Sequence, residues 1–217
     1  MHRSIRYAAI AAAALITAVT LTACSTTNGG SDHDAMPGMA GTQGMAGTPA
    51  PSGATAPHNQ ADVSFVTGMI PHHGQAVTMA ELAAGRATTP DVRSLASTIK
   101  AAQAPEITTM SGWLAAWGQP VPAATGGHDM PGMGGMDDQS GMMTDQQMQQ
   151  LAGGSGSAFD RMWLQMMIAH HRGAVSMSRT ELTAGQNGDV KQLAQRIIDS
   201  QSAEIATMTQ LLPTVGG

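Results

Sequence analysis

The 217-residue chain has a net charge of -5, 12% charged residues, 3% aromatic residues and a single cysteine. So few aromatics argue against a β-sandwich, and one cysteine excludes both an intrachain disulfide and a Cys-based zinc or iron-sulfur centre. With 10 Lys and Arg against 15 Asp and Glu, there is no cationic footprint for nucleic acid. The outlying residue is methionine, present 18 times.

The chain starts with Arg3 and Arg6 followed by the uncharged apolar run Ala8 to Thr20. This has the form of a signal peptide, because its core falls short of the ~20 residues that span a bilayer. The run ends in Leu21-Thr22-Ala23-Cys24, which resembles the lipobox of bacterial lipoproteins. Cys24 is therefore expected to be the lipidated first residue of an extracytoplasmic protein held at the cell membrane by its lipid anchor. Loss of residues 1–23 removes two arginines and no acid, which takes the net charge to -7. Residues 24–59 are rich in Gly, Ser, Thr, Ala and Pro, too poor in apolar surface to offset chain ordering, and read as a tether.

Residues 60–213 contain an internal duplication at an offset of 98 residues. In the first helical segment the matches include Asp62/Asp160, Met69/Met167, His72/His170, His73/His171 and Met79/Met177. The second segment matches Gln103/Gln201, Glu106/Glu204 and Met110/Met208. Apolar residues recur at three and four positions, as in Leu95, Ile99 and Ala102, so each segment reads as a helix. Thr89-Pro90 offers an N-cap followed by Pro at the first helical position, and Ser157 with Asp160 a weaker start. Stops are expected at Gly85, Gly118, Gly185 and Pro213, and kinks at Pro71 and Pro105. Four helices forming two hairpins, joined by a Met/Gly-rich crossover at 119–143, predict an all-α four-helix bundle with pseudo-twofold symmetry.

Helical spacing places Met69 one turn before His72 and His73, and Met79 on the face of His72; Met167, His170, His171 and Met177 repeat the arrangement. On the partner helices Glu106 and Met110 are one turn apart, as are Glu204 and Met208. Thioether with imidazole is the donor mixture that favours Cu(I) and, by the same softness, Ag(I); imidazole also accepts Cu(II). A methionine stripe is ordinarily core filler. Adjacent histidines point about 100° apart, so only one of each pair is expected to face inward well. Retention of both histidines with the flanking methionines in two diverged copies favours a metal site. His33, Met36 and Met39 in the tether, and His128, Met130, Met133 and Met136 in the crossover, stand in Gly/Pro-rich sequence where packing gives them no purpose. They read as flexible metal-capture arms.

With Asp62, Phe65, Met69-Ile70-Pro71-His72-His73, Ala76 and Met79, and again Phe159-Asp160, Met167-Ile168-Ala169-His170-His171, Ala174 and Met177, the chain resembles the bacterial family known as domain of unknown function 305. The resemblance covers roughly Ala61 to Leu212. It implies a ferritin-like four-helix bundle and, for secreted members, a link to copper binding and resistance. It implicates Met69, His72, His73, Met79, Met167, His170, His171 and Met177, and in second rank Glu106, Met110, Glu204 and Met208.

The expected function is binding rather than catalysis: a lipid-anchored protein that sequesters, buffers or delivers copper, with a delivery partner outside the cytoplasm. Two rivals remain. A ferritin-like di-iron oxidase is suggested by Glu81, Glu106, Glu181 and Glu204, yet no glutamate is followed by His three residues later, as such sites require. A metal-free interaction module would use the same residues only for packing. A nucleophilic enzyme has no support, since the one Cys belongs to the anchor and a Gly-x-Ser-x-Gly elbow is absent.

Overall fold

A computed structural model of the chain describes residues 54–124 and 140–215. Among them are five α-helices and no strand: α1 (Gln60–Arg86), α2 (Pro90–Ala116), α3 (Asp145–Gly153), α4 (Gly156–Ala184) and α5 (Gly188–Leu211). The sequence anticipates all of these except the one-sided α3, which starts at Thr144 in a capping box with Gln147. No described helix is long and apolar enough to cross a membrane.

The chain is an all-α bundle of two hairpins, α1–α2 and α4–α5, joined face to face through α1 and α4. Three contacts between α1 and α4 fix their direction. Asn59 donates to the Ala184 carbonyl, the rings of His72 and His170 touch, and the Trp163 indole donates to the Met79 carbonyl at 2.9 Å. As the residue number rises on α1 it falls on α4, so the two helices are antiparallel. Because the duplication maps His72 onto His170, the pseudo-dyad runs through their contact.

Helix ends carry the same symmetry, by a route the local sequence does not suggest. Thr89 occupies the N-cap of α2 but makes no side-chain cap. Its hydroxyl and backbone N–H, with those of Thr88, donate to the Asp160 carboxylate of the other hairpin. Asp62 does the reverse, accepting the backbone N–H groups of Gln186 and Asn187, the 98-residue counterparts of Thr88 and Thr89. It also closes a capping box with Asn59. Helix α4 begins at Gly156 with Ser155 as N-cap, so Ser157, the expected start, lies inside the helix, and Asp160 caps the neighbouring hairpin's turn and not the start of its own helix. Burial would raise both carboxyls, but for Asp62 the N–H groups of Asn59, Asn187 and Gln186, and for Asp160 the hydroxyls and N–H groups of Thr89 and Thr88, outweigh it and hold them below the usual range.

At the Asp62 end the symmetry breaks. Glu181, whose counterpart is Ala83, is buried there with neither carboxyl oxygen bonded to an N–H. Burial, a hydrogen bond to Asp62 and the Asp62 charge push it up to about 8, against a smaller pull from Lys191. Its carboxyl lies so close to Gly185 that a Cβ at 185 would collide with it.

Helices α1 and α2 continue through Pro71 and Pro105. The tether region contributes packed residues from 54 onward. Ala54 is buried, and the His58 ring stacks on Trp117 with centroids 4.2 Å apart. At the other boundary Met143, expected in solvated crossover, is buried in the core. The reason lies in α1, where the Gln75 side chain pairs with both backbone polar groups of Met143.

Candidate metal centre

Helix α1 is covered on two sides, by α2 and by α4, so the 100° step between adjacent histidines lands on two interfaces instead of one. His72 turns to α4 and meets His170, while His73 turns to α2 and meets Glu106. All four histidines are therefore buried, which corrects the expectation that only one of each pair would face inward. They form a row across the pseudo-dyad. Ring centroids are 6.4 Å apart from His73 to His72, 3.7 Å from His72 to His170 and 6.3 Å from His170 to His171. A carboxylate closes each end: His73 Nε2 donates to Glu106 at 2.7 Å and His171 Nε2 to Glu204 at 2.8 Å. The two glutamates are 23% and 14% exposed, so the ends of the row reach toward water while its middle does not.

The hydrogen bonds decide which nitrogen is protonated. A carboxylate or carbonyl oxygen can only accept, so His73 and His171 carry their proton on Nε2. His72 does too, because its Nε2 bonds to the Ser140 carbonyl at 2.9 Å. In all three rings Nδ1 is buried and without a hydrogen-bond partner; His170 has no such partner on either nitrogen. Burial, then the neighbouring His73, lowers the His72 pKa to about 3; burial, then His72, holds His170 well below its ordinary value. Both rings are thus neutral near pH 7, the form a metal ion requires.

The methionines flank the row. Since His73 faces Glu106 across an antiparallel hairpin, Met69, one turn earlier on α1, stands opposite Met110, one turn later on α2; Met167 and Met208 repeat this pairing. Met69 and Met110 fall in one apolar cluster with Met177 packed against it, whereas Met79, Met167 and Met208 fall in the other. The six are thus divided into two symmetry-related sets, each drawing on both hairpins. Met79 and Met177 lie two helical turns from His72 and His170, about 10 Å along the axis. Met69, Met110, Met167 and Met208, with the partly buried Met166 one turn before His170, are thioethers within a turn of the row.

Among the described residues no three His, Cys, Asp or Glu side chains are gathered around one point. The four glutamates that suggested a di-iron site are dispersed. Glu106 and Glu204 hold histidines, Glu81 pairs with Lys100 at the surface and Glu181 sits beside Asp62. The capture residues His33, Met36, Met39, His128, Met130, Met133 and Met136, and Cys24, lie outside the described residues.

Other polar residues on or beside these helices are not marked as functional by the sequence reading. Gln103 and Gln201, one turn before Glu106 and Glu204, are buried with unpartnered amide atoms. Their only signal in the sequence is their retention in both copies. Ser140 and Gln75 have no such signal, because each acts from one side of the dyad alone.

An all-α bundle whose polar interior is a carboxylate-closed row of imidazoles bordered by thioethers is a helical scaffold built around a soft donor set. The chain belongs to the family described as Domain of unknown function (DUF305), which matches residues 62–212. A DUF305 protein of Streptomyces coelicolor is similar in structure, with a TM-score of 0.64 and 35% identity over 72% of this chain and 93% of that one. A DUF305 fragment from Deinococcus radiodurans has a TM-score of 0.64 and 31% identity, over 73% and 99%. CopM in its Cu(I)-bound form has a TM-score of 0.60 and 33% identity, over 73% and 100%. CopM is also known in Cu(II)-bound and Ag-bound forms. No curated protein matches the sequence.

Proposed function

We propose that the protein is an extracytoplasmic, lipid-anchored binding protein that sequesters, buffers or delivers copper, with Cu(I) the ion best matched to its donors and Cu(II) and Ag(I) further candidates. One observation carries this reading: buried imidazole nitrogens, with their lone pairs free, in a row whose outer rings are oriented by carboxylates. A buried polar atom left unmet costs about 1–3 kcal/mol, and apolar replacement of such groups is often neutral or stabilising. A bundle that merely packed these positions would gain nothing from keeping four histidines there. The carboxylate-histidine pairs have the form of an outer shell that sets tautomer and ring direction for a metal.

The donor set favours a monovalent soft ion. Structural zinc requires four ligands at one point, and a di-iron site a cage of carboxylates, neither of which the described residues provide. A soft monovalent ion needs only two or three donors, which neighbouring imidazoles and thioethers can supply. The relatives support the same chemistry, since CopM, 33–36% identical, holds Cu(I) and Cu(II). A cleaved leader and a lipidated Cys24 would hold the ion outside the cytoplasm, where a partner protein would deliver or accept it; no catalytic turnover is assigned.

The test is an anaerobic titration of the mature protein with Cu(I), Ag(I), Cu(II), Zn(II) and Fe(II) against a competing chelator. Tight Cu(I) and Ag(I) binding is expected, lost from the bundle when His72, His73, His170 and His171 are all replaced by Ala while helicity is kept. Full stoichiometry in that variant, or thermal stability indifferent to Cu(I), would remove the reading in favour of a metal-free module.

A further inference from the structure

His72 and His170 are equivalent by sequence and unequal in their surroundings. The inequality comes from residues 140–143, which run across the row. Gln75, 6% exposed, grips this segment at one residue: its Nε2 donates to the Met143 carbonyl at 2.8 Å and its Oε1 accepts the Met143 N–H at 2.7 Å. Two parallel bonds to one residue fix its rotation as well as its position. Met143 is further held by burial of its own side chain.

The segment approaches α4 as closely as it does α1. Gly141 has a φ of +68°, and a Cβ there would collide with the Ala169 carbonyl; a Cβ on Gly173 would collide with the Ser140 carbonyl. Under the duplication Gln75 and Gly173 are counterparts. One copy has the side chain that holds the segment, and the other has the absence of a side chain that lets it lie flat. The outcome is a carbonyl delivered to a single imidazole, Ser140 O at 2.9 Å from His72 Nε2.

We propose that Gln75 is a positioning residue for the metal centre: by clamping Met143 it holds the Ser140 carbonyl on His72 Nε2, and so dedicates His72 Nδ1 to the incoming ion. The inference rests on the copper reading for its purpose, but the tautomer it concerns is a property of the metal-free protein. His73 and His171 are set by their own carboxylates and are independent of Gln75. His170 has no equivalent device, so the two central rings differ in preorganisation even though the duplication made them alike.

The experiment uses the mature protein labelled with 15N-histidine. Long-range 1H–15N spectra without metal should show His72, His73 and His171 as Nε2–H tautomers. In Gln75→Leu, close in volume and without the amide, His72 should move toward a mixed tautomer with His73 and His171 unchanged. Gly173→Ala, which displaces Ser140 from the opposite side and keeps a helix-favouring residue in α4, should move His72 in the same way. Ag(I) affinity should fall about tenfold in each variant, the range typical of outer-shell partners, with stoichiometry kept. An unaltered His72 tautomer in both variants, or equal changes in all histidines, overturns the proposal. Failure of the wild type to bind Ag(I), with the His72 shift still present, overturns the copper reading and leaves the positioning role standing.

Discussion

The two hairpins have the same backbone plan and the same central residues, yet they differ wherever something that occurs once in the chain touches them. The turn-capping carboxylates, Asp62 and Asp160, and the carboxylate-held histidines, His73 and His171, recur at equivalent positions, although the caps bond different residue types. Of the four histidines the Ser140 carbonyl bonds to His72 alone, and the Glu181 carboxyl is opposed by no counterpart because position 83 is alanine. Positions whose partners are themselves duplicated are thus held in matching ways, while positions touching the single crossover or the Glu181 end have diverged. A symmetric scaffold carries an asymmetric centre.

The largest effect that would break this symmetry falls on the caps. Asp160→Ala strands the donors of Thr88 and Thr89, and Asp62→Ala those of Gln186 and Asn187. Hydrogen bonds to a buried charge contribute about 1.5–3 kcal/mol each, so each variant should lose about 3 kcal/mol in urea unfolding. The dyad requires similar losses; a loss confined to one of the two would refute the reciprocal cap.

The next effect separates the two ends by pH. Glu181 has a folded pKa of about 8 against an ordinary 4.5. As pH rises from 4.5 the unfolded chain releases this proton first, so stability falls until about pH 8 and then levels. In Glu181→Gln that decline should vanish from the melting profile. His72 acts in the opposite sense. With a folded pKa of about 3 against 6.5, it leaves only the unfolded chain to take up a proton as pH falls from 6.5, and stability drops toward pH 3. Replacing both His72 and His170 by Leu should flatten that acid limb; a limb unchanged in the variant would refute burial of neutral rings.

Affinity sharpens the comparison further. Glu106→Gln and Glu204→Gln should each weaken Ag(I) binding about tenfold, and by similar factors, since each holds one end of the row. The smallest effect concerns the thioethers. Met69→Leu and Met110→Leu keep the core volume and should change stability by less than about 1.5 kcal/mol, while Ag(I) affinity falls. If affinity is untouched, these methionines are core filler and the ion is held by imidazole alone.

Much of this arrangement is legible in the sequence because it is periodic and duplicated. The 98-residue repeat singles out Glu106 and Glu204 as site residues before any contact between helices is known. It retains Asp62 and Asp160 too, yet local rules assign Asp160 to its own helix start, since capping signals do not reveal a partner 70 residues away. Helix α3 and the burial of Met143 are not legible, because the Gly- and Met-rich sequence before them reads as solvated and only Gln75, distant in sequence, supplies the partner that draws Met143 inward.

Helical periodicity and the repeat, both local or self-referential patterns, determine the four long helices, their pairing into hairpins and the residue types of the centre. Packing of α1 between α2 and α4 decides the rest: that both histidines of each pair are buried, that His72 and His170 meet on the dyad, and that one ring alone is held by a backbone carbonyl. Those outcomes depend on which faces of antiparallel helices come together and on where a single connecting segment lies. Spacing along one helix carries no information about either.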